Sequence, residues 1–149
     1  MAVRGTIYHH RRFVFKNGFV GKKYIILLNS PGTNDPYLFV KTTSQKKDKP
    51  SEPGCIENRS LFFIPAKTTF FENDTWIQLH EIYSLTADVI EKDSDLKEEG
   101  SLDLKLIEKI VNCLFLSSKD DVSPEHRRLL RPPLEESLRR LQAKFGKKH

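Results

Sequence analysis

The sequence predicts an α+β protein: a small antiparallel, barrel-like β core, one packed helix, and a basic helical tail. Short apolar segments of strand-like composition fill the first ninety residues, with turn clusters and no helical pattern between them. Near residue 100 the apolar spacing changes to that of an amphipathic helix. A chain of 149 residues, 38% hydrophobic and 30% charged, suits one domain with a packed core and an appendage.

The elements follow in order. Gly5 to Tyr8 (GTIY) and Phe13 to Phe15 (FVF) read as strands, with HHRR in the connection between them. Tyr24 to Leu28 (YIILL) is a dense aliphatic run stopped by the turn cluster NSPGTNDP. Tyr37 to Val40 follows, then QKKDKPSEPG, a polar loop expected to be long and mobile. Leu61 to Ile64 and Trp76 to Leu79 complete the strands. In SLDLKLIEKIVNCLFLSS, Leu104, Ile107, Val111 and Leu114 recur at helical spacing with Ile110 beside them. Ser101 falls in the expected cap region, and the helix is placed at Leu102 to Leu116. Asp120 to Arg131 reads as a linker. Beyond it Leu134, Leu138, Leu141 and Phe145 form a second helical stripe, backed by Arg139, Arg140 and Lys144. So short a helix is marginal alone, and docking on its own core is expected. The division is residues 1–118 for the barrel with its closing helix, and 119–149 for the linker and tail.

Charge is segregated. Residues 1–50 carry a balance of +8, residues 51–118 a balance of −7, and residues 119–149 a balance of +4. A basic first third steers a polyanion or an acidic peptide toward one surface. No apolar run approaches the roughly 20 residues of a membrane span, and MAVRGTIYHHRR lacks the apolar stretch of a signal peptide. Cys55 and Cys113 stand far apart with no C-x-x-C pair, so neither a zinc site nor a disulfide is expected. The reading is a cytoplasmic, reduced protein with no membrane partner, no metal and no cofactor.

Functional residues concentrate in YLFVKTTSQKK, residues 37–47, which starts as core strand and ends in hydroxyls, an amide and lysines. Thr42, Thr43 and Ser44 read first as β-branched strand filling and a turn-forming Ser, with a polar rim aimed at a nucleic acid as the sharper alternative. Adjacent strand residues point to opposite faces, so of His9 and His10 only one can serve a given site. Phe70 and Phe71, followed by END, read either as rings for stacking on unpaired bases or as core packing, whereas Trp76 is expected in the core.

Four stretches, in their order and spacing over residues 3–118, resemble the MazF/PemK toxins. GTIY resembles that family's opening strand, with Thr6 where the family has Asp. GKKYIILLNS resembles its basic-residue, Arg-Pro and aliphatic run, and FVKTTSQ resembles the strand that ends in a Thr-Ser or Thr-Ala pair. TWIQLHEIYSL resembles its later strand, with the helix from Leu102 placed where the family has its last one.

The resemblance implies an SH3-like barrel and a metal-independent endoribonuclease that cuts single-stranded RNA. It also implies a homodimer whose RNA groove is contested by the acidic segment of a cognate antitoxin. The family's catalytic Arg and Thr fall on Lys23 and Thr43, so Lys stands for Arg, and Tyr24 stands for the following Pro. Arg11, Arg12, Lys22, Thr42, Ser44 and Gln45 are then the RNA contacts, with His9, His10 and His80 as alternative proton carriers. A different class stays open beside it: a non-catalytic SH3-like module that binds nucleic acid or a protein.

Overall fold

A computed structural model of the chain describes residues 2–14, 17–118 and 121–131. Seven strands form one antiparallel sheet: β1 (Thr6–Val14), β2 (Val20–Leu27), β3 (Tyr37–Thr43), β4 (Gly54–Ile56), β5 (Leu61–Ile64), β6 (Thr75–Leu85) and β7 (Leu96–Ser101). Among the described residues, three α-helices accompany it: α1 (Ala87–Lys92), α2 (Leu104–Ser118) and α3 (Pro124–Leu130). The strand order is β4-β5-β6-β3-β2-β1-β7. The α+β class and the antiparallel sheet agree with the sequence reading. The barrel is not closed, because β4 and β7 are free edges of an open sheet.

Both sides of the sheet are covered, which is why YIILL and LFV read as unbroken apolar runs rather than alternating ones. Ile7, Ile26, Leu38, Val40 and Ile77 face α2, where Ile107, Ile110, Val111 and Leu114 complete the main core. Tyr8, Ile25, Leu27, Phe39 and Leu96 pack on the opposite side. Ile56, Leu61, Phe63 and Trp76 form a third cluster under β4, which places Trp76 in the core as expected.

Bulges shape the sheet. Between His10 and Phe13 the β1–β2 register shifts, so Arg11 and Arg12 together oppose Lys22. HHRR therefore lies inside β1, which corrects its placement in a connection. A second shift leaves Glu99 as the extra residue of β7 against Ile7 and Tyr8. A third sets residues 79–82 of β6 against Val40 alone. There the Leu79 N–H donates to the Ser60 carbonyl at 2.9 Å, and its own carbonyl accepts from Ser118 Oγ at 3.4 Å.

Several expectations are corrected. α1, β4 and β7 were not foreseen, and the helix assigned to Leu102 starts at Leu104. Its cap is Asp103, whose carboxylate accepts from Lys105 N at 2.6 Å, while Ser101 belongs to β7. Leu104 is exposed, and Leu102 is buried instead. The linker segment holds α3, started by Ser123, Pro124 and Glu125, whose Leu129 and Leu130 join the main core. Cys55 of β4 and Cys113 of α2 are bonded as a disulfide. Their 58-residue separation carried no sign of this, since connectivity follows only from which elements the fold brings together. The stripe from Leu134 to Phe145 lies outside the described residues. No helix among the described residues is long and apolar enough to cross a membrane.

Candidate functional site

The site forms where β2 and β3 part. Their pairing runs from Leu27↔Phe39 to Ile25↔Lys41 and stops. The same register, carried two residues further, sets Lys23 opposite Thr43. Instead β2 stays with β1 through Tyr24↔His9 and Lys23↔His10, and β3 stays with β6 through Thr42↔Ile77 and Thr43↔Trp76. The two strands diverge around a cleft of about 830 Å³ that both Lys23 and Thr43 line. At the fork, Thr42 Oγ1 donates to the Tyr24 carbonyl at 2.9 Å, standing in for the next ladder bond. That hydroxyl is buried and spent on the backbone, so Thr42 positions the fork rather than a ligand.

The cleft is cationic. Lys22, Lys23, Lys41, Lys47 and Lys49 line it, against the single carboxylate of Glu72. Burial, and then the positive charges of Lys41 and Lys49, lower the Lys23 ammonium from its ordinary 10.5 to about 8. Lys41 is partly neutralised by Glu81 at 4.0 Å and lies 5.8 Å from the Tyr83 ring centre. Thr43 Oγ1 accepts from Gln45 N at 3.2 Å, which leaves its O–H to donate. On β6, Gln78 also lines the cleft, and its Oε1 is buried with no hydrogen-bond partner among the described residues. A bound donor would satisfy it.

One wall is aromatic. The Tyr24 ring centre lies 4.9 Å from His9, 5.5 Å from Phe70 and 5.9 Å from Phe71. The Phe70 ring lies over bare backbone at Gly100, where any Cβ would come within 2.4 Å of it. The bulged Glu99 accepts from the Tyr24 hydroxyl at 3.4 Å and stands 3.9 Å from His9 Nδ1. Burial first, and then the Glu99 charge, raise the Tyr24 phenol above its ordinary value. Phe71 is buried, which removes it as a stacking surface, while Phe70 is half-buried.

Of the residues singled out in the sequence, the fold brings Lys22, Lys23, Thr42, Thr43, Ser44, Gln45 and His9 to the cleft. Arg11 and Arg12 do not line it; Arg11 pairs with Asp95 at 3.0 Å at the β7 end. His10 also turns away, with Nε2 3.1 Å from Asp93 Oδ2, and exposed His80 does not line it either.

Sequence reasoning missed Lys47 and Lys49, because their loop was read as mobile. The loop is tied down. Trp76 Nε1 donates to the Pro50 carbonyl at 2.7 Å, Arg59 meets Asp48 at 3.4 Å, and Lys49 Nζ donates to the Gln45 carbonyl at 3.1 Å. It missed Phe19 as well, although Asn17-Gly18 is a turn signal. The chain matches no known protein-family model and no curated protein sequence.

Proposed function

We propose that the protein is a MazF/PemK-like endoribonuclease built on an open, SH3-like antiparallel sheet, cutting single-stranded RNA without a metal. In this reading it is the toxin of a toxin–antitoxin pair and works as a homodimer, and an acidic antitoxin segment competes with RNA for the cleft. One observation carries the proposal: Lys23 and Thr43 both line a single lysine-rich cleft, at the fork where their strands separate.

The reaction is an internal transesterification. The ribose 2′-oxygen loses its proton and attacks the adjacent phosphorus, and the bond to the 5′-oxygen breaks as that oxygen gains a proton. The products are a 2′,3′-cyclic phosphate and a 5′-hydroxyl. The Lys23 ammonium stabilises the charge growing on the phosphorane, and the Thr43 hydroxyl donates to a non-bridging oxygen. Among the described histidines His9 lines the cleft, and it carries the proton.

The test is cleavage of a long, mixed-sequence single-stranded RNA in excess chelator. Wild type should give discrete fragments, and Thr43→Ala and Lys23→Ala should each lose about 10²-fold or more. Intact RNA in the presence of folded, RNA-binding wild type would overturn cleavage. Activity surviving both substitutions would move the site toward His9.

A second reading is a non-catalytic module using the same cleft to bind RNA or a protein. Lys23 in place of the family's Arg favours it, because a point charge cannot grip phosphate in the bidentate way a guanidinium does. A Lys23→Arg variant that gains no activity over an inactive parent would support it.

A further inference from the structure

We propose that Phe19 is the base-stacking residue of the cleft, and that it gives the site its preference for unpaired nucleotides over duplex or bare polyphosphate. The proposal rests on the cleft being an RNA site, and it adds what the lysines cannot supply. A row of ammonium groups attracts any polyanion equally, whereas a ring face distinguishes strands whose bases are free.

The chain of observations begins in the sequence. Asn17-Gly18 forms the turn before β2: Gly18 takes φ +88°, and Asn17 Oδ1 accepts from Phe19 N at 3.1 Å. A residue with a side chain is strained at that φ, so the turn requires glycine there. The turn sets Phe19 immediately before β2, at the mouth of the cleft. The residue is 72% exposed, although Phe is among the residues most often found inside. The other aromatic rings of the cleft are committed elsewhere: Phe71 is buried, and Tyr24 and Phe70 pack edge-to-face on each other. Phe19 lies beside Lys22 and Lys23 in sequence and lines the same cleft. A phosphate held by the lysines would bring its attached base within reach of an uncovered ring, and stacking there removes apolar surface from water on both partners.

The test uses three probes on the full chain: a labelled single-stranded RNA with fluorine in place of its 2′-hydroxyls, the duplex of the same sequence, and inorganic polyphosphate. Fluorine removes the attacking group, so binding is measured apart from cleavage. Phe19→Ala should lose roughly tenfold in affinity for the single strand while keeping its affinity for duplex and polyphosphate. Phe19→Trp should restore the single-strand affinity, with its fluorescence quenched on binding. Because the side chain is exposed, Phe19→Ala should melt at the wild-type temperature. Equal loss on all three probes, or no loss on the single strand, would overturn the assignment while leaving the cleft as an RNA site. A change of oligomeric state in Phe19→Ala would also overturn it, by making Phe19 a contact between copies. Wild type that binds none of the probes would remove the RNA reading, and this inference with it.

Discussion

Lys23 holds a positive charge where burial and two neighbouring lysines work against it. Its ammonium is therefore shifted to lose its proton at about pH 8, well below an ordinary lysine. As a charge stabiliser it is fully effective below that pH and is lost above it. We predict that kcat/KM on single-stranded RNA falls as pH rises through about 8, since that ratio reports the free enzyme. Lys23→Arg should remove the fall while any activity remains, because a guanidinium stays charged throughout. A profile that instead rises through pH 8 would make Lys23 the base. Stability should move the other way. Between about 8 and 10.5 the unfolded chain binds the proton that the native residue has released, so the burial penalty at Lys23 is relieved as pH rises. At this scale Thr43 and Lys23 were legible through their strands, but the roles within TTSQ were not. Thr42 and Thr43 differ only in which way the pleat turns them, and that puts one hydroxyl on a backbone carbonyl and the other at a cleft.

At the scale of elements, β4 is the weakest part of the sheet. It is three residues long, lies at an edge, and pairs only with β5. The Cys55–Cys113 disulfide fixes it to α2, and the loop leading into it supplies Gln45, Lys47 and Lys49 to the cleft. Closing a chain segment of this length constrains the unfolded state by about 2–4 kcal/mol. Reductant should lower the urea midpoint of wild type accordingly, and a Cys55→Ser, Cys113→Ser double variant should already sit at the lower midpoint and ignore reductant. An identical midpoint with and without reductant would show that the bond contributes nothing. Neither the disulfide nor α3 was legible in the sequence. α3 is seven residues long, too short for periodicity to reveal, although Ser123-Pro124-Glu125 is a sound start signal. α2 was legible because fifteen residues repeat the helical period several times.

At the scale of the molecule, the basic first fifty residues supply β1 to β3 and the loop that follows, so their lysines converge on one cleft while carboxylates gather around β7 and α2. Lys22, Lys23, Lys41, Lys47 and Lys49 line that cleft, Lys41 partly neutralised by Glu81, and the RNA reading assigns it about four lysine–phosphate contacts. The affinity for single-stranded RNA should therefore fall with salt, with a log–log slope of roughly −3 for four contacts on a single strand. Lys23→Ala should reduce that slope by somewhat less than one unit. A slope near zero in binding isotherms across salt would exclude the lysine cleft as the binding surface.

The sequence by itself determined the α+β class, the strands β2, β3 and β5, the core face of α2 from Ile107 to Leu114, and the concentration of positive charge at the start of the chain. These are local or compositional properties, written in apolar period, turn residues and charge. The tertiary structure alone decided that the sheet stays open, that Cys55 meets Cys113, that Arg11 and His10 turn away, and that Lys23 and Thr43 share a cleft. The reason is that each of these depends on register. A bulge at Arg11 and Arg12, and the parting of β2 from β3 after Ile25↔Lys41, move side chains between surfaces without altering any local pattern that the sequence displays.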